Sequence, residues 1–318
     1  MKKISIIAPC YNEKDNIQIF YEKIKKIFEN DLKNYSLELI IVDNNSTDGS
    51  IDILKNISKS DKDLKIILNK MNYGLWKSTF NAINYAKGDA LIPMLPIDMQ
   101  DPPELIVDFI KEWENGFEVV YGIKKERNEN FFLKSSRNIY YKLVSKISDI
   151  DIPPYVGEFQ LIDKKIYKEL LNFDDYYPYT RGLISTLSTN KIGINYTWQK
   201  RTKGKSKMNL FKMFDVGING IISFSNFPIR IFSIFGFILA IGSFLYMFIP
   251  IFTYFFLPER NVGAGISTII VAIFFFSGVQ LLFLGIVGEY IAAIHRQVRK
   301  PKKNVIVKEL INCDKDQD

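Results

Sequence analysis

The chain has 318 residues, of which 47% are hydrophobic and 24% charged, and its 42 Lys+Arg against 35 Asp+Glu give a formal net charge of +7. This composition excludes a wholly disordered or fibrous chain, and the length allows roughly two domains of ordinary size. The mean hydropathy of −0.01 is high for so many charges, so the apolar residues must be concentrated in one part of the chain. Cys10 and Cys313 are too few for a disulfide framework and lack the spacing of a zinc site, which indicates reduced thiols.

Residues 1–125 alternate short β-rich runs with helical patterns. Such alternation predicts a mainly parallel sheet that is covered by helices on both faces. The predicted strands are Ile4–Ala8, Leu37–Val42, Leu64–Leu68, Ala90–Leu95 and Glu118–Tyr121. The predicted helices are Asn16–Glu29, Ser50–Ser60, Leu75–Ala86 and Glu104–Trp113.

Polar residues follow the first, second and fourth predicted strands. They form three clusters, which are residues 9–13, residues 43–50, and Asp98 with Gln100 and Asp101. Ligands of parallel sheets bind beyond the carboxyl ends of the strands, so these clusters are expected to meet along one edge. A single acidic turn could equally be a local cap, but three in register favour a site. An acidic edge would repel a nucleotide diphosphate unless Mg²⁺ or Mn²⁺ lay between them, which predicts a divalent cation.

Two long uncharged runs follow, over residues 231–257 and 261–288. Each is longer than the roughly 20 apolar residues that a helix needs to cross a bilayer. Only three residues separate the runs, so they are predicted to form a tight hairpin. Both outer flanks are basic, which predicts a multi-pass protein of the inner (cytoplasmic) membrane with the N-terminal domain and both termini in the cytoplasm. The basic flanks are expected to bind anionic lipid headgroups rather than nucleic acid.

These patterns divide the chain into four predicted parts. They are a cytosolic domain (1–208), a juxtamembrane amphipathic helix (209–227), a two-helix transmembrane hairpin (228–292) and a basic cytosolic tail (293–318). Apolar residues at helical spacing between 209 and 224 favour a helix at the membrane interface, with a core helix of the soluble domain as the alternative.

Three segments resemble family-2 glycosyltransferases of the GT-A fold. They are Ile4-Ser-Ile-Ile-Ala-Pro-Cys-Tyr-Asn-Glu13, Ile41-Val-Asp-Asn-Asn-Ser-Thr-Asp-Gly-Ser50 and Asp98-Met-Gln-Asp-Pro-Pro-Glu104. Residues 157–163, Arg181-Gly182 and residues 201–207 are similar to the polyprenyl-phosphate branch, which includes dolichol-phosphate mannose synthase-like and bactoprenol glucosyltransferase-like enzymes. The resemblance continues at Phe224-Ser225, Pro228 and Gly288-Glu289-Tyr290, and so covers nearly the whole chain.

The resemblance implies an α/β fold, with a Rossmann-like GT-A sheet domain followed by an interfacial helix and two transmembrane helices. It implies an inverting enzyme that moves a sugar from a nucleotide-sugar donor, with UDP favoured, to polyprenyl (undecaprenyl) phosphate. Relatives also suggest a homo-oligomer, a tetramer. The sugar itself is not specified by these motifs.

Residue roles are carried over by motif. The nucleoside pocket is implied to include Pro9, Tyr11, Asn12 and Glu13, with Asp43 accepting a hydrogen bond from the base. The metal and the donor diphosphate are implied to meet Asp98 and Gln100, and the acceptor phosphate to meet Arg201 and Lys207. Catalytic roles are assigned to Asp98, Glu158 and Arg201.

Two departures from the family pattern concern the acidic motifs. Pro96 stands where the family commonly has the first carboxylate of Asp-x-Asp, so either Asp98 and Gln100 suffice with water and the diphosphate, or Asp101 helps. The second motif often reads Asp-Asp-Gly-Ser, but here the residues after Asp43 are Asn44, Asn45 and Ser46.

Glu158 stands where the family often has an Asp that has been suggested to act as a base. A phosphate monoester has a second pKa near 6, so the acceptor is already mostly dianionic and needs little deprotonation. We therefore hypothesise that Glu158 positions the acceptor or a basic neighbour; a surface carboxylate on a loop is the alternative.

Two other functions compete with this interpretation. The first is glycosyl transfer to a lipid-linked saccharide, although the Gln-x-x-Arg-Trp motif and the additional spans of processive synthases are not found in the sequence. The second is a non-catalytic membrane scaffold that binds nucleotide sugars, which Pro96 would favour.

Overall fold

Two structural units are present in the computed structural model, which describes residues 1–126, 156–175, 178–199, 225–256, 265–299 and 306–313. The first unit contains Met1–Gly217 together with Lys300–Asp318, and the second contains Ile218–Arg299. Arg201, Lys207 and the predicted amphipathic helix over 209–224 lie outside the described residues.

One eight-stranded sheet organises the first unit, with the strand order β7-β5-β6-β4-β1-β2-β3-β8. The strands are β1 (Lys2–Cys10), β2 (Tyr35–Asp43), β3 (Leu64–Asn69), β4 (Ala90–Ile92), β5 (Val119–Glu126), β6 (Val156–Asp163), β7 (Lys191–Thr197) and β8 (Val307–Ile311). The four strands β4, β1, β2 and β3 are mutually parallel, and β5 is parallel to β7. Antiparallel pairs join β6 to β4 and β5, and β8 to β3. A mostly parallel mixed sheet is therefore confirmed.

The described residues of this unit form six helices, of which the first four lie close to their predicted positions and the last two were not predicted. They are α1 (Lys14–Asn30), α2 (Ser50–Ser60), α3 (Leu75–Ala82), α4 (Leu105–Glu114), α5 (Lys164–Leu170) and α6 (Thr180–Leu187). A 3₁₀ turn over Ile83–Tyr85 replaces the predicted last turn of α3. Strand β4 ends at Ile92, three residues before its predicted end, because Pro93 has no N–H to donate to the ladder.

The hydrophobic core lies on both faces of the central strands. Ile4, Ile6 and Ala8 of β1 have no exposed surface, and neither does Ile7, which points to the opposite face. Burial on both faces explains why the central strands are continuously apolar instead of alternating. Phe109 of α4 packs on Phe159 of β6 with ring centroids 4.8 Å apart, which joins a helix to the sheet.

A buried polar network closes the amino-terminal edge of the sheet. The Glu38 carboxylate accepts hydrogen bonds from the Ser5 hydroxyl, from the backbone N–H of Lys87 at 2.7 Å and from Lys65 Nζ at 2.7 Å. The backbone N–H of Gly88 donates to Ser5 Oγ at 2.8 Å. A Cβ atom at Gly88 would lie 2.5 Å from Ser5 Oγ, so the turn requires glycine.

The C-terminal tail contains a strand that was not predicted from the sequence, because β8 covers the edge of the sheet there. It pairs antiparallel with β3 in the register Ile66↔Ile311 and Ile67↔Leu310. Asn312 follows with a left-handed φ of 55°, and its side-chain amide donates to three backbone carbonyls, those of Ser58, Asp61 and Leu64. The tail therefore belongs to the same sheet as the N-terminal strands.

The second unit contains the helices α7 (Phe227–Phe256) and α8 (Gly265–Val298). Both are long and apolar enough to cross a membrane, judged by length and composition. Helix α8 continues ten residues beyond the end of its uncharged run and includes the basic residue Arg296. Within this unit the Tyr290 hydroxyl donates to the backbone carbonyl of Ser225 at 2.7 Å.

Candidate active site

The sheet topology gathers the candidate residues at one edge, which we call the carboxyl edge. The parallel strands β1, β2 and β4 all end there, so the loops after Cys10, Asp43 and Ile92 share this edge. Strand β6 is antiparallel to β4, with Leu91 opposite Ile162, so the beginning of β6 lies at the same edge. Glu158, the third residue of β6, therefore lies at the same edge as the three loops, on the strand next to β4.

Hydrogen bonds join the loops that follow β1 and β2. The backbone N–H of Asn12 donates to Ser46 Oγ, and the N–H of Thr47 donates to Asn12 Oδ1, both at 2.8 Å. Asn12 and Asn45 have left-handed φ angles of 53° and 63°. Asn tolerates this region better than most residues, which explains why Asn45 can stand where the family often has Gly.

Asp43 lies beneath these loops with no exposed surface. Its two carboxylate oxygens accept hydrogen bonds from the N–H of Ser46 at 2.8 Å and from the Ser46 hydroxyl at 2.5 Å. Burial raises the pKa of the neighbouring Cys10 thiol, and the Asp43 carboxylate raises it further. In this conformation a base could reach Asp43 only if the turn over residues 44–47 moved.

The other predicted nucleoside residues differ in exposure. Pro9 is buried within β1, opposite Val42 of β2, whereas Tyr11 and Glu13 are half-buried. The Glu13 carboxylate accepts a hydrogen bond from the Asn16 amide at 2.7 Å. Asp48 completes this acidic loop; partial burial acts to raise its pKa, but hydrogen bonds led by that of the Ser50 hydroxyl outweigh burial and lower the pKa.

Asp98 and Gln100 flank a strained residue in the loop after β4. Met99 has a left-handed φ of 54°, which costs energy in a residue with a long side chain and often marks a functional site. The N–H of Gln100 lies 3.3 Å from Asp98 Oδ1, and Asp98 is 8% exposed. The Gln100 amide nitrogen lies 3.5 Å from the backbone carbonyl oxygen of Gln199, which leaves the amide oxygen of Gln100 as its ligating atom.

Asp101 is held by protein groups. Its carboxylate accepts the Tyr196 hydroxyl and forms an ion pair with Lys124 Nζ at 2.9 Å. A Cβ atom at Gly157 would lie 2.7 Å from Lys124 Cε, so this glycine makes room for the lysine. The pairing argues against the option that Asp101 is a metal ligand.

The donor set at the carboxyl edge suits a hard cation that is shared with a phosphate ligand. Among the described residues, no group of three or more His, Cys, Asp or Glu side chains could hold a metal ion. Asp98 and Gln100 supply oxygen atoms, which Mg²⁺ and Mn²⁺ prefer, and Mg²⁺ commonly keeps several waters and binds substrate phosphates. Asp98 and Gln100 are therefore the side chains at this edge whose chemistry fits such a cation.

Glu158 contacts two residues from other parts of the chain. The Trp76 indole N–H donates to Glu158 Oε1 at 3.2 Å, and Arg181 Nε lies 3.7 Å from the same oxygen. Arg181 Cζ lies 4.5 Å from the centroid of the Tyr179 ring, and Arg181 Nη1 donates to the Val156 carbonyl at 3.1 Å. Trp76 was not among the predicted site residues. Its place in the first turn of α3, which follows the carboxyl end of β3, was the available signal.

Comparison with known proteins identifies the family of this chain. The sequence profile described as "Glycosyl transferase family 2" matches residues 5–171. The chain belongs to glycosyl transferase family 2. This confirms the predicted family and the prediction of a glycosyltransferase.

Individual family-2 relatives align over most of the chain. An uncharacterized glycosyltransferase, YkcC of Bacillus subtilis, is 36% identical over 93% of this chain and 90% of its own length. The SfII prophage-derived bactoprenol glucosyl transferase of Shigella flexneri is 32% identical over 96% of this chain and 98% of its own length. A solved structure, a mannosyltransferase from Pyrobaculum calidifontis with GDP-Man and Mn²⁺, aligns with 95% of this chain and 88% of its own, at a TM-score of 0.44 and 17% identity.

Proposed function

We propose that this chain is a membrane-anchored, inverting glycosyltransferase that moves a sugar from a UDP-sugar to a polyprenyl phosphate. The observation that carries the proposal is the 32% identity to a bactoprenol glucosyl transferase over 96% of this chain, which includes the apolar hairpin as well as the catalytic domain. A lipid acceptor would explain why a catalytic domain and an apolar hairpin occur in the same chain. We also propose that the protein is a homo-oligomer, with the resemblance favouring a tetramer.

The donor is proposed to bind along the carboxyl edge. Its nucleoside would lie at the loops after β1 and β2, where Tyr11 and Glu13 are half-buried, and its diphosphate would lie at Asp98 and Gln100. A divalent cation held there would neutralise the charge that develops on the leaving diphosphate. Lys124 also lies at this edge, where its charge is balanced by the ion pair with Asp101.

The acceptor phosphate is proposed to bind at the membrane surface. Arg201 and Lys207 of the basic flank are its proposed partners, because a mostly dianionic phosphate needs cationic neighbours more than it needs a base. Glu158 already accepts the Trp76 N–H and pairs with Arg181, which suits a positioning role better than proton removal.

Strand β8 supports the predicted membrane topology. It follows α8 in the chain and pairs with β3, whereas β3 precedes α7. The chain before the hairpin and the chain after it therefore both contribute strands to one sheet. This requires an even number of membrane crossings between β3 and β8. Two spans satisfy this requirement, and the basic flanks favour the cytoplasm for both ends.

The proposal is tested with the purified full chain in lipid nanodiscs. UDP release would be measured with a panel of UDP-sugars, with and without undecaprenyl phosphate and Mn²⁺ or Mg²⁺. We expect one sugar to give release that depends on both lipid and cation, and Asp98→Asn to abolish this release. Asp101→Asn is the matched control, since it should lower stability while keeping the cation dependence. Nucleotide-sugar binding without turnover at any acceptor would instead support a scaffold, and turnover only with a lipid-linked saccharide would support the other acceptor class.

A further inference from the structure

The order of the strands along the carboxyl edge suggests where the transferred sugar lies. The proposed nucleoside residues follow β2 and β1, the proposed diphosphate residues follow β4, and Glu158 belongs to β6. Base, diphosphate and sugar follow one another in the same order within a nucleotide sugar. Neighbouring strands are about 4.8 Å apart, so β6 is one step beyond the diphosphate on the side away from the base.

The side chains around Glu158 have the chemistry of a sugar subsite. Glu158 is an acceptor for hydroxyl groups, Arg181 is a donor, and the Trp76 and Tyr179 rings offer apolar surface. The side chains of Glu158 and Arg181 are 17% and 16% exposed, so they are accessible but shielded from most of the solvent. Weak competition from water strengthens hydrogen bonds to a ligand at such a position.

Trp76 and Arg181 also fix the direction of the Glu158 carboxylate. The contacts with Trp76 and Arg181 both involve Oε1. Among the residues that the structure describes, no hydrogen bond to Oε2 is present, which leaves that oxygen for a ligand. Arg181 is in turn held by the Tyr179 ring and by the Val156 carbonyl.

We propose that Glu158 binds hydroxyl groups of the donor's sugar ring, and that Trp76 is the positioning residue of this sugar subsite. The inference rests on the proposed function, since it needs a nucleotide sugar at the carboxyl edge. In this subsite Glu158 binds the sugar and transfers no proton. It also explains a connection between α3 and β6 that brings together residues 82 positions apart.

The test compares UDP and UDP-glucose binding to the full chain in nanodiscs by calorimetry, with Mn²⁺ and without acceptor lipid. Trp76→Phe keeps an aromatic ring and removes only the N–H donor. We expect the affinity for UDP-glucose to fall about tenfold, which is the effect of one hydrogen bond to a charged group, while the affinity for UDP stays unchanged. Glu158→Gln, which keeps an acceptor oxygen for Trp76, should show the same selective loss.

A matched control is available at the opposite edge of the sheet. The Trp113 indole N–H donates to the Asp163 carboxylate at 2.8 Å, so Trp113→Phe removes the same type of bond. Trp113→Phe should lower the melting temperature and leave both affinities unchanged. Equal effects of Trp76→Phe and Glu158→Gln on UDP and UDP-glucose, or no effect on either ligand, would overturn the sugar subsite alone. Wild-type protein that binds neither ligand would overturn the proposed function as well.

Discussion

Ser46 donates two hydrogen bonds to Asp43, one from its backbone N–H at 2.8 Å and one from its hydroxyl at 2.5 Å. The same hydroxyl oxygen accepts the backbone N–H of Asn12 at 2.8 Å. One hydroxyl group therefore connects the loop after β1, the loop after β2 and a fully buried carboxylate. The arrangement of the proposed nucleoside pocket depends on it.

Ser46→Ala should weaken nucleotide binding without unfolding the domain. The change removes one hydrogen bond from the buried carboxylate and also removes the bond from the Asn12 N–H to Ser46 Oγ, so we expect the UDP affinity to fall about tenfold. Calorimetry with UDP measures this effect, and the melting temperature reports the fold. Ser60→Ala is the control, because Ser60 is exposed and its hydroxyl donates only to the backbone carbonyl of Ile57. An unchanged UDP affinity in Ser46→Ala would show that the nucleoside binds elsewhere.

Local sequence patterns were sufficient to predict the parallel core of the sheet. The runs Ile4–Ala8 and Leu37–Val42 lie inside β1 and β2, and the predicted helix Ser50–Ser60 coincides with α2. Continuous apolar runs and turn residues depend on neighbours in sequence, so they can be identified without knowing the tertiary structure. The acidic loops could be assigned to one edge for the same reason, since parallel strands end together.

Contacts between distant residues could not be predicted in this way. The pairing of Trp76 with Glu158 depends on how α3 crosses the sheet, and the ion pair of Asp101 with Lys124 depends on the order of β4, β6 and β5. Strand β8 carries Lys308 and Glu309, and such charges are typical of an edge strand and weaken the apolar signal. Its position after two membrane helices also made a separate tail the simpler interpretation.

The Cys10 thiol should be protected from modification in the folded protein. It is 1% exposed, and burial together with the charge of Asp43 raises its pKa. An ordinary thiol gains reactivity as the pH rises from 7 to 9, because the thiolate is the nucleophile. The raised pKa moves this gain to higher pH, so native Cys10 should stay unreactive over the range.

The measurement uses the Cys313→Ser variant and a chromogenic disulfide reagent. We expect modification in native buffer at pH 8 to be slower by about a hundredfold or more than in SDS, where burial is lost. The wild-type protein is the control, and its half-buried Cys313 should react first. Rapid native modification of the Cys313→Ser variant, with a rate that rises normally between pH 7 and 9, would contradict the burial of Cys10.

Glu38→Gln should destabilise the catalytic domain strongly. The side chains of Glu38 and Lys65 are 4% and 11% exposed, so the substitution leaves a buried ammonium group without its counter-charge. Breaking a buried pair in this way costs about 3–5 kcal/mol of the free energy of unfolding. The midpoint of the domain's denaturation by urea measures the loss.

A surface ion pair supplies the control for that experiment. Lys55 Nζ lies 2.8 Å from Glu309 Oε2, and the two side chains are 39% and 43% exposed. Because exposed pairs contribute about 0–1 kcal/mol, Glu309→Gln should change the midpoint little. Similar losses in Glu38→Gln and Glu309→Gln would show that the Glu38 network contributes no more than a surface pair.

The position of β8 leads to a prediction about which residues face the cell exterior. Cys313 directly follows Asn312, whose amide bonds to the Leu64 carbonyl, and β8 pairs with β3 of the catalytic domain. Cys313 must therefore be on the same side of the membrane as that domain. Arg260 lies between the two predicted spans and should be on the other side. In spheroplasts, a membrane-impermeant maleimide should label Cys313→Ser/Arg260→Cys and should not label the wild-type protein until the membrane is permeabilised. Cys313→Ser alone is the control for background labelling. Labelling of wild-type Cys313 in sealed spheroplasts would place the catalytic domain outside the cytoplasm, and protection of Arg260→Cys would show that the hairpin does not cross the bilayer.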